Sequence, residues 1–503
     1  MNKQTFGYLV VWRLLSVYIV QTSDVPDEYW QSLEVAHKLA FGYGHLTWEW
    51  RHGIRSYIYP FLISILYKIL ELVGLDSAGI LINAPRVCQA VLSAYADYRF
   101  YLWTNSTWST FVLTLNWFWY YCATRTLTNT VETALTIIAL SSFPWRDSKR
   151  PETSYFLWIV GITCAIRPTM AITWMPLCVY HLVTTSKTIT QVLLQYLIIG
   201  LTTLGYSIAI DTYCYKRLVL TQWEFFKVNV MNNIAGFYGT HSILWYFTSA
   251  LPVLLGIYVI YFVIATYQVL KHYKVNSREF ILLLTIFWTI SVYSLLDHKE
   301  FRFILPILPM IIFICTCTKA PEALKSAHTL KRIFIGVFVL TNLIPLSYFS
   351  FIHQRGTLEV MKVLRQELGR LEGSYARHGV DAMFLTPCHA LPLYSHLHRN
   401  LTTKFLGCEP NLRGEENYVD EAEEFFGDPM GWIDRTFGND KGWEEEDVLP
   451  AFVVLFDNVE KRIQRFLAFY ELIVRRWNTH VSQGNHGNYI EVYRLKSLGD
   501  LKR

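Results

Sequence analysis

From Phe6 to about Ile352 the apolar residues do not alternate with polar ones but run together in blocks separated by short polar breaks. The blocks cover 6–22, 57–75, 80–102, 109–123, 128–143, 153–183, 189–210, 247–267, 280–297, 303–318 and 332–352. A helix needs about 20 apolar residues to cross a bilayer, so the pattern predicts roughly ten spans. The block 153–183 is too long for one crossing and contains Arg167-Pro168. Proline removes a backbone donor and disfavours helix at the residue before it, which predicts two short helices there. The run within Met1–Gln21 has no small-residue cleavage signature before Asp24 and reads as an uncleaved first span. Arg13 lies inside it, and a charge at that depth either snorkels or faces a polar interior.

After His353 the pattern changes. Thr357–Leu371 has the spacing of an amphipathic helix, while Ala382–Thr386, Ala451–Phe456 and Tyr489–Arg494 read as strands and Val459–Ala468 as a helix between strands. An acidic stretch, Glu415–Asp447, sits among them. The expected architecture is a polytopic helical bundle over 1–352, with polar loops 23–56 and 211–246, followed by a small α/β domain over 353–503. No fixed-period repeat is present, which argues against a solenoid.

Lys/Arg-rich connections at Trp145–Arg150, Lys271–Arg278 and Lys319–Arg332 face the cytosol under the positive-inside rule. The segments 23–56, 211–246, 298–302 and everything after 352 then fall on the lumenal side. The alternation fails near 80–124, where one apolar stretch must re-enter or lie along the surface. That leaves open the side of the glycosylation sequon at Asn105; a second sequon, at Asn400, falls in the lumenal part.

Composition strengthens the membrane reading. Charged residues make up 17% of the 503, against about 25% in soluble domains, and hydrophobic residues 52%. The 17 Trp and 32 Tyr suit the boundary between hydrocarbon and headgroups. A net charge of +5 without a basic run gives no footprint for nucleic acid. Nine cysteines without a CxxC pair argue against structural zinc. Cys388 and Cys408 can pair if their region faces an oxidising lumen. With no glycine-rich phosphate loop, dinucleotide fingerprint or His/Cys cluster of metal spacing, neither a cofactor nor a metal is expected.

Four segments carry candidate chemistry. In Val25-Pro26-Asp27-Glu28-Tyr29-Trp30, Pro26 suits the first helical position, and Asp27 and Glu28 then fall in the first turn, where the helix dipole favours a carboxylate. Tyr29, Leu33, Ala36 and Ala40 follow at helical spacing, so this helix is expected to lie flat on the bilayer. Paired acids there suit a general base acting on a sugar hydroxyl, though acids are also ordinary in a first turn. Asp297-His298-Lys299-Glu300-Phe301-Arg302 is squeezed between two apolar blocks. His298, Lys299 and Arg302 can clamp a phosphate, or the group can be an interfacial anchor with internal ion pairs. Arg125 and Glu132, seven residues apart and so two helical turns apart, fall on one face with Asn129 between them, suited to sugar hydroxyls or an anion, with helix capping as the plain alternative. The loop holding His241 and Trp245 can stack on sugars or form part of an aromatic belt. Arg55, just before a block, is a further phosphate contact or an interfacial residue.

Together these strings resemble glycosyltransferase family 22 of the GT-C superfamily. The resemblance is carried by Val25-Pro26-Asp27-Glu28-Tyr29-Trp30-Gln31-Ser32-Leu33-Glu34, Phe41 to Trp50, Ile54-Arg55-Ser56-Tyr57, Thr124 to Glu132, His298-Lys299-Glu300-Phe301-Arg302-Phe303 and His353-Gln354-Arg355-Gly356-Thr357. It runs from about Val10 into the C-terminal part and weakens over 412–447. It implies a GT-C bundle in the endoplasmic reticulum membrane that uses dolichyl-phosphate mannose on the lumenal side. The implied reaction adds the third mannose, through an α-1,2 bond, to the glycosylphosphatidylinositol (GPI) precursor. The catalytic acid of the first lumenal loop would map to Asp27, with Glu28 beside it. Family members often carry His before Pro-Asp-Glu, where this chain has Val25, so one possible proton partner is missing. Sister mannosyltransferases acting on dolichol-linked oligosaccharide, or adding the fourth GPI mannose, share this pattern. A transporter or scaffold is an alternative of another class, but the charged groups gather at the lumenal ends of the blocks rather than at mid-span.

Overall fold

The computed structural model describes residues 3–146, 152–318, 328–370, 380–412, 414–438 and 449–496. Parts of the basic connections 145–150 and 319–332, and part of the acidic stretch 415–447, lie outside the described residues. The chain forms two compact units: 1–18, 49–62 and 85–347 in the first, and 19–48, 63–84 and 348–503 in the second.

In the first unit the apolar blocks are helical, including Thr128–Ser142, Ile189–Tyr215 and Arg278–Ser294. The break at Arg167-Pro168 is present, with helices Tyr155–Ile166 and Met170–Thr184 on either side. Among the described residues two stretches, Ile189–Tyr215 and Arg332–Arg370, are long and apolar enough to cross a membrane. A bent pair, Tyr246–Leu255 with Tyr258–His272, adds a third if it is one span. The sequence estimate of about ten equates each apolar block with a crossing; several blocks are instead short, broken or bent. The pair bends by 113° at Gly256, whose φ of +52° is open to glycine and strained for other residues. The block 109–123 is broken at Asn116, which joins Thr107–Leu115 to Trp117–Cys122 and whose side-chain oxygen accepts from Trp119 N–H. Arg13 does not snorkel: it is fully buried and paired with Asp97 at 2.6 Å.

The second unit holds a five-stranded sheet. Its strands are β1 (Ala382–Leu385), β2 (Thr403–Phe405), β3 (Phe452–Phe456), β4 (Tyr470–Trp477) and β5 (Tyr489–Leu495), in the order β2-β1-β3-β5-β4. β1 runs parallel to β2 and β3, while β5 is antiparallel to β3 and β4. Met383, Leu385, Val453 and Leu455 pack with Phe425, Trp432, Ile433 and Phe466 into one core. The helix Gly356–Arg370 lies against β4 and β5 and buries Val360, Met361, Leu364 and Leu368. Three strands agree with the sequence pattern; β2 and β4 were not legible. β2 has three residues, and β4 is an edge strand with a bulge between Leu472 and Val474, which breaks the two-residue period. The helix expected over Val459–Ala468 is instead two short turns, Asp457–Glu460 and Gln464–Leu467.

Candidate active site

Asp27 and Glu28 open a helix right after Pro26, whose carbonyl accepts from the N–H groups of Tyr29 and Trp30, both at 3.0 Å. Tyr29–Leu33 forms a wide π turn, a rare geometry that concentrates at functional sites, and Glu34–Phe41 continues as α-helix. Gly42, at φ +83°, ends it with its N–H on the Lys38 carbonyl. This helix does not lie open on a bilayer. Tyr29, Trp30, Leu33, Glu34, Ala36 and His37 are all buried. The expectation of a flat amphipathic helix weighed only its apolar stripe, whereas Glu34 and His37 find polar partners within the same unit. Asp27 is half-buried and Glu28 buried.

In the first unit the basic turn is internally paired. Glu300 Oε1 accepts from His298 Nε2 at 3.1 Å and from Arg302 Nη2 at 2.6 Å. His298 Nδ1 also lies 3.2 Å from the Gly239 carbonyl. A carboxylate and a carbonyl both only accept, so this geometry favours the doubly protonated ring of His298. Burial alone would lower its pKa, but the hydrogen bond to Glu300 and the charge of that carboxylate raise it above the usual 6.5. Burial would likewise raise Glu300; the Arg302 guanidinium and His298 outweigh it and hold the carboxyl well below its usual range. Lys299 is buried and its ammonium donates to the carbonyls of His241 and Leu296. His241, exposed, stacks on Trp245 at 4.9 Å, and Trp245 packs on Phe301 at 4.9 Å. Thus the turn and the aromatic loop form one cluster, and Lys299 ties them together.

The expected face of Arg125, Asn129 and Glu132 is not formed as such, because the helix begins at Thr128 and leaves Arg125 in the preceding bend. Leu127 is extended at that helix start, so Arg125 loses the helical register with Glu132. Arg125 is buried over the Tyr121 ring at 4.1 Å. Asn129 Nδ2 donates to the Arg302 carbonyl at 3.2 Å, bringing this helix to the basic turn. Glu132 pairs with Arg167 at 3.1 Å, and the Arg167 guanidinium lies 5.4 Å from the Phe303 ring centre. Sequence reasoning attends to Pro168 as the helix break and misses Arg167, whose signal is a charge inside an apolar block, costly there unless it serves a site or a partner. Arg55 pairs with Glu49, Nη2 to Oε1 at 2.6 Å. Next to it, buried Asp211 accepts from Ser56 Oγ, Tyr57 N–H, Ser207 Oγ and Thr221 Oγ1. The sequon residues Asn105 and Asn400 are both exposed.

Cys388 and Cys408 form a disulfide, with Cα atoms 5.8 Å apart. Their sulfurs and His389 Nδ1 gather within 4.8 Å, but each sulfur is already bonded to the other.

The model of the Alg9-like mannosyltransferase family matches residues 4–398, most of the chain. The chain belongs to that family. GPI mannosyltransferase 3 of Drosophila melanogaster is 45% identical over 95% of this chain and 84% of its own length. GPI alpha-1,2-mannosyltransferase 3 of Homo sapiens is 39% identical over 98% and 87%. Among solved structures, ArnT from Cupriavidus metallidurans bound to undecaprenyl phosphate matches with a TM-score of 0.53 and 11% identity, covering 97% of both chains. Its apo form matches at 0.53 and 10%, covering 98% of both. The chain shares its fold with ArnT, and as a member of a mannosyltransferase family it is an enzyme whose long apolar helices give it membrane character.

Proposed function

We propose that this enzyme adds the third mannose, through an α-1,2 bond, to the GPI precursor, taking it from dolichyl-phosphate mannose on the lumenal face of the endoplasmic reticulum. The observation that carries this reading is near full-length similarity to relatives named for that GPI step, up to 45% identical over 95% of the chain. The fly relative is GPI mannosyltransferase 3, and the zebrafish and human relatives are GPI alpha-1,2-mannosyltransferase 3, which favours a GPI acceptor over a dolichol-linked oligosaccharide.

The chemistry assigns two roles. A base must take the proton of the acceptor hydroxyl as that oxygen attacks the anomeric carbon, a contribution of about 100- to 10,000-fold in rate. Asp27 takes this role, with Glu28 as its partner. The bond from that carbon to the phosphate oxygen breaks as the new glycosidic bond forms, so a β-linked donor yields an α product. The leaving dolichyl phosphate gathers negative charge, which preorganised cations stabilise. His298 and Arg302 supply that charge, and Lys299 holds the loop that carries His241 and Trp245. Arg55 is a further phosphate contact. Arg125, Asn129, Glu132, His241 and Trp245 belong to the substrate-binding set. With that charge met by basic side chains, the scheme uses neither a metal nor a cofactor.

Lipid analysis of cells that lack the chain tests the acceptor. A GPI lipid stalled at two backbone mannoses, and extended when the chain is restored, is the expected result. Accumulation of a truncated dolichol-linked oligosaccharide, or of a three-mannose GPI lipid, would move the enzyme to a sister step.

A further inference from the structure

The helix that carries Asp27 is held from the far end of the sequence. Trp30 Nε1 donates to the carbonyls of His389 and Leu391 at 3.1 and 3.2 Å. One turn on, Glu34 Oε1 accepts from Leu393 N–H at 2.7 Å, Ser395 N–H at 3.1 Å and Ser395 Oγ at 2.6 Å. A further turn on, His37 Nε2 and His398 Nδ1 share a hydrogen bond of 3.0 Å, and His398 Nε2 lies 3.8 Å from Asp76 Oδ2. Every contact joins residues of the same compact unit, yet Glu34 and its partners stand 359 and 361 positions apart in sequence.

Glu34 is the informative member. Its side chain is fully buried, where a carboxylate gives up hydration that a leucine of similar size would not need. Three donors converge on Oε1, while Oε2 is buried without a hydrogen bond. A group introduced only to fill space would not meet three aligned donors, and one serving solubility would not be buried. What Glu34 fixes is the axial position and rotation of a helix whose first turn carries the two acids. Burial raises its pKa against the opposing hydrogen bonds from Ser395, Leu393 and Tyr394. All three donors meet the single oxygen Oε1, a place that an amide oxygen can also fill.

We propose that Glu34, gripped by Leu393 and Ser395, is a positioning residue that locks the acid-bearing helix to the segment 389–398, so that Asp27 is presented in one orientation. This gives the segment 389–398 a part in the reaction: it sets the geometry of the base without supplying a reacting group. The inference rests on the reading of Asp27 as the base.

The test uses full-length enzyme in microsomes, with a synthetic two-mannose GPI lipid as acceptor and dolichyl-phosphate mannose as donor. Glu34→Ala is expected to lower kcat about 100-fold, the scale of an ångström's misplacement, with donor KM unchanged. Glu34→Gln keeps the acceptor oxygen and is expected to restore most of the activity. Ser395→Ala removes one donor of three and is expected to give a smaller fall in kcat; it carries the test if Glu34→Ala does not accumulate. Amide hydrogen exchange over 27–34 is expected to quicken in step with the loss. Wild-type kcat in Glu34→Ala or Ser395→Ala, a raised donor KM with unchanged kcat, or a Gln variant as impaired as Ala would overturn the proposal. Asp27→Asn run in parallel separates the two readings. Near-normal transfer by Asp27→Asn removes the base assignment, whereas an inactive Asp27→Asn beside a normal Glu34→Ala removes the clamp alone.

Discussion

Arg167, at the break between two short helices, reaches Glu132 on another helix with Nε 3.1 Å from Oε2. Both side chains are largely withdrawn from solvent, at 14% and 2% exposure. Arg167 also bonds Thr169 Oγ1 and, at 3.4 Å, Thr128 Oγ1. The break between the two helices therefore carries an arginine that ties it to the helix Thr128–Ser142.

Removing one partner of such a pair leaves a buried charge uncompensated, which typically costs about 3 to 5 kcal/mol. Arg167→Met alone should lower the thermal midpoint of the detergent-solubilised enzyme strongly. The double variant Arg167→Met, Glu132→Gln should recover most of that loss. A double variant no more stable than the single one would show that the pair is not what holds these helices.

The His298–Glu300 link gives a pH dependence with a definite sign. His298 has a folded pKa above 6.5, so its stabilising contact is fully present below the unfolded value and is lost as pH rises through the raised one. Glu300 is shifted the other way; its contribution is present above about 4.5 and is lost only under strong acid. The like charge of Arg302 opposes the His298 shift but does not cancel it. If transfer needs His298 as a cation, the alkaline limb of the pH–rate profile tracks the raised pKa. Glu300→Gln removes the carboxylate charge and should move that limb to lower pH; an unmoved limb would assign it to another group.

How much of this was readable in the sequence follows from the range of each interaction. The acid string, the basic turn and the broken block at Arg167-Pro168 are local, and residue type and spacing expose them. The partner choices are not local. His298, Lys299 and Arg302 read either as a phosphate clamp or as an anchor with internal ion pairs; Glu300 and three backbone carbonyls engage them, and only packing places the His241 carbonyl over Lys299. Arg125 and Glu132 looked like one helical face because the spacing assumed a helix that starts earlier than Thr128. The burial of Glu34 among donors 359 residues away leaves no periodic trace at all.

The disulfide between Cys388 and Cys408 closes a loop of sequence separation 20, which in the loop-entropy account stabilises by about 3 kcal/mol. The loop it closes includes His389 and Leu391, whose carbonyls receive Trp30. Cys388→Ser with Cys408→Ser should lower the thermal midpoint and partly reduce transfer. Thiol labelling of the unfolded wild-type chain, before and after reduction, should differ by two of its nine cysteines. Equal labelling in both states would mean that the bridge does not form.

Arg13 and Asp97 put a full ion pair where an apolar helix would need none. Both are fully buried, Nε and Oδ2 stand 2.6 Å apart, and Asp97 Oδ1 accepts from Trp119 Nε1 at 2.9 Å. The guanidinium carbon lies 5.2 Å from the Trp119 ring centre, so the indole meets both members of the pair. Two effects compete here: desolvating both charges disfavours the pair, whereas their attraction and the indole contacts favour it. When such a pair is replaced whole by apolar residues the balance is often neutral or better, while a half-replacement strands a charge at a loss of about 3 to 5 kcal/mol. Arg13→Leu and Asp97→Leu should therefore each reduce the folded, detergent-stable yield, and the double variant should restore it. Restored yield with normal transfer would confine the pair to setting how the first helix packs. Restored yield with lost transfer would instead show that the reaction depends on this buried charge.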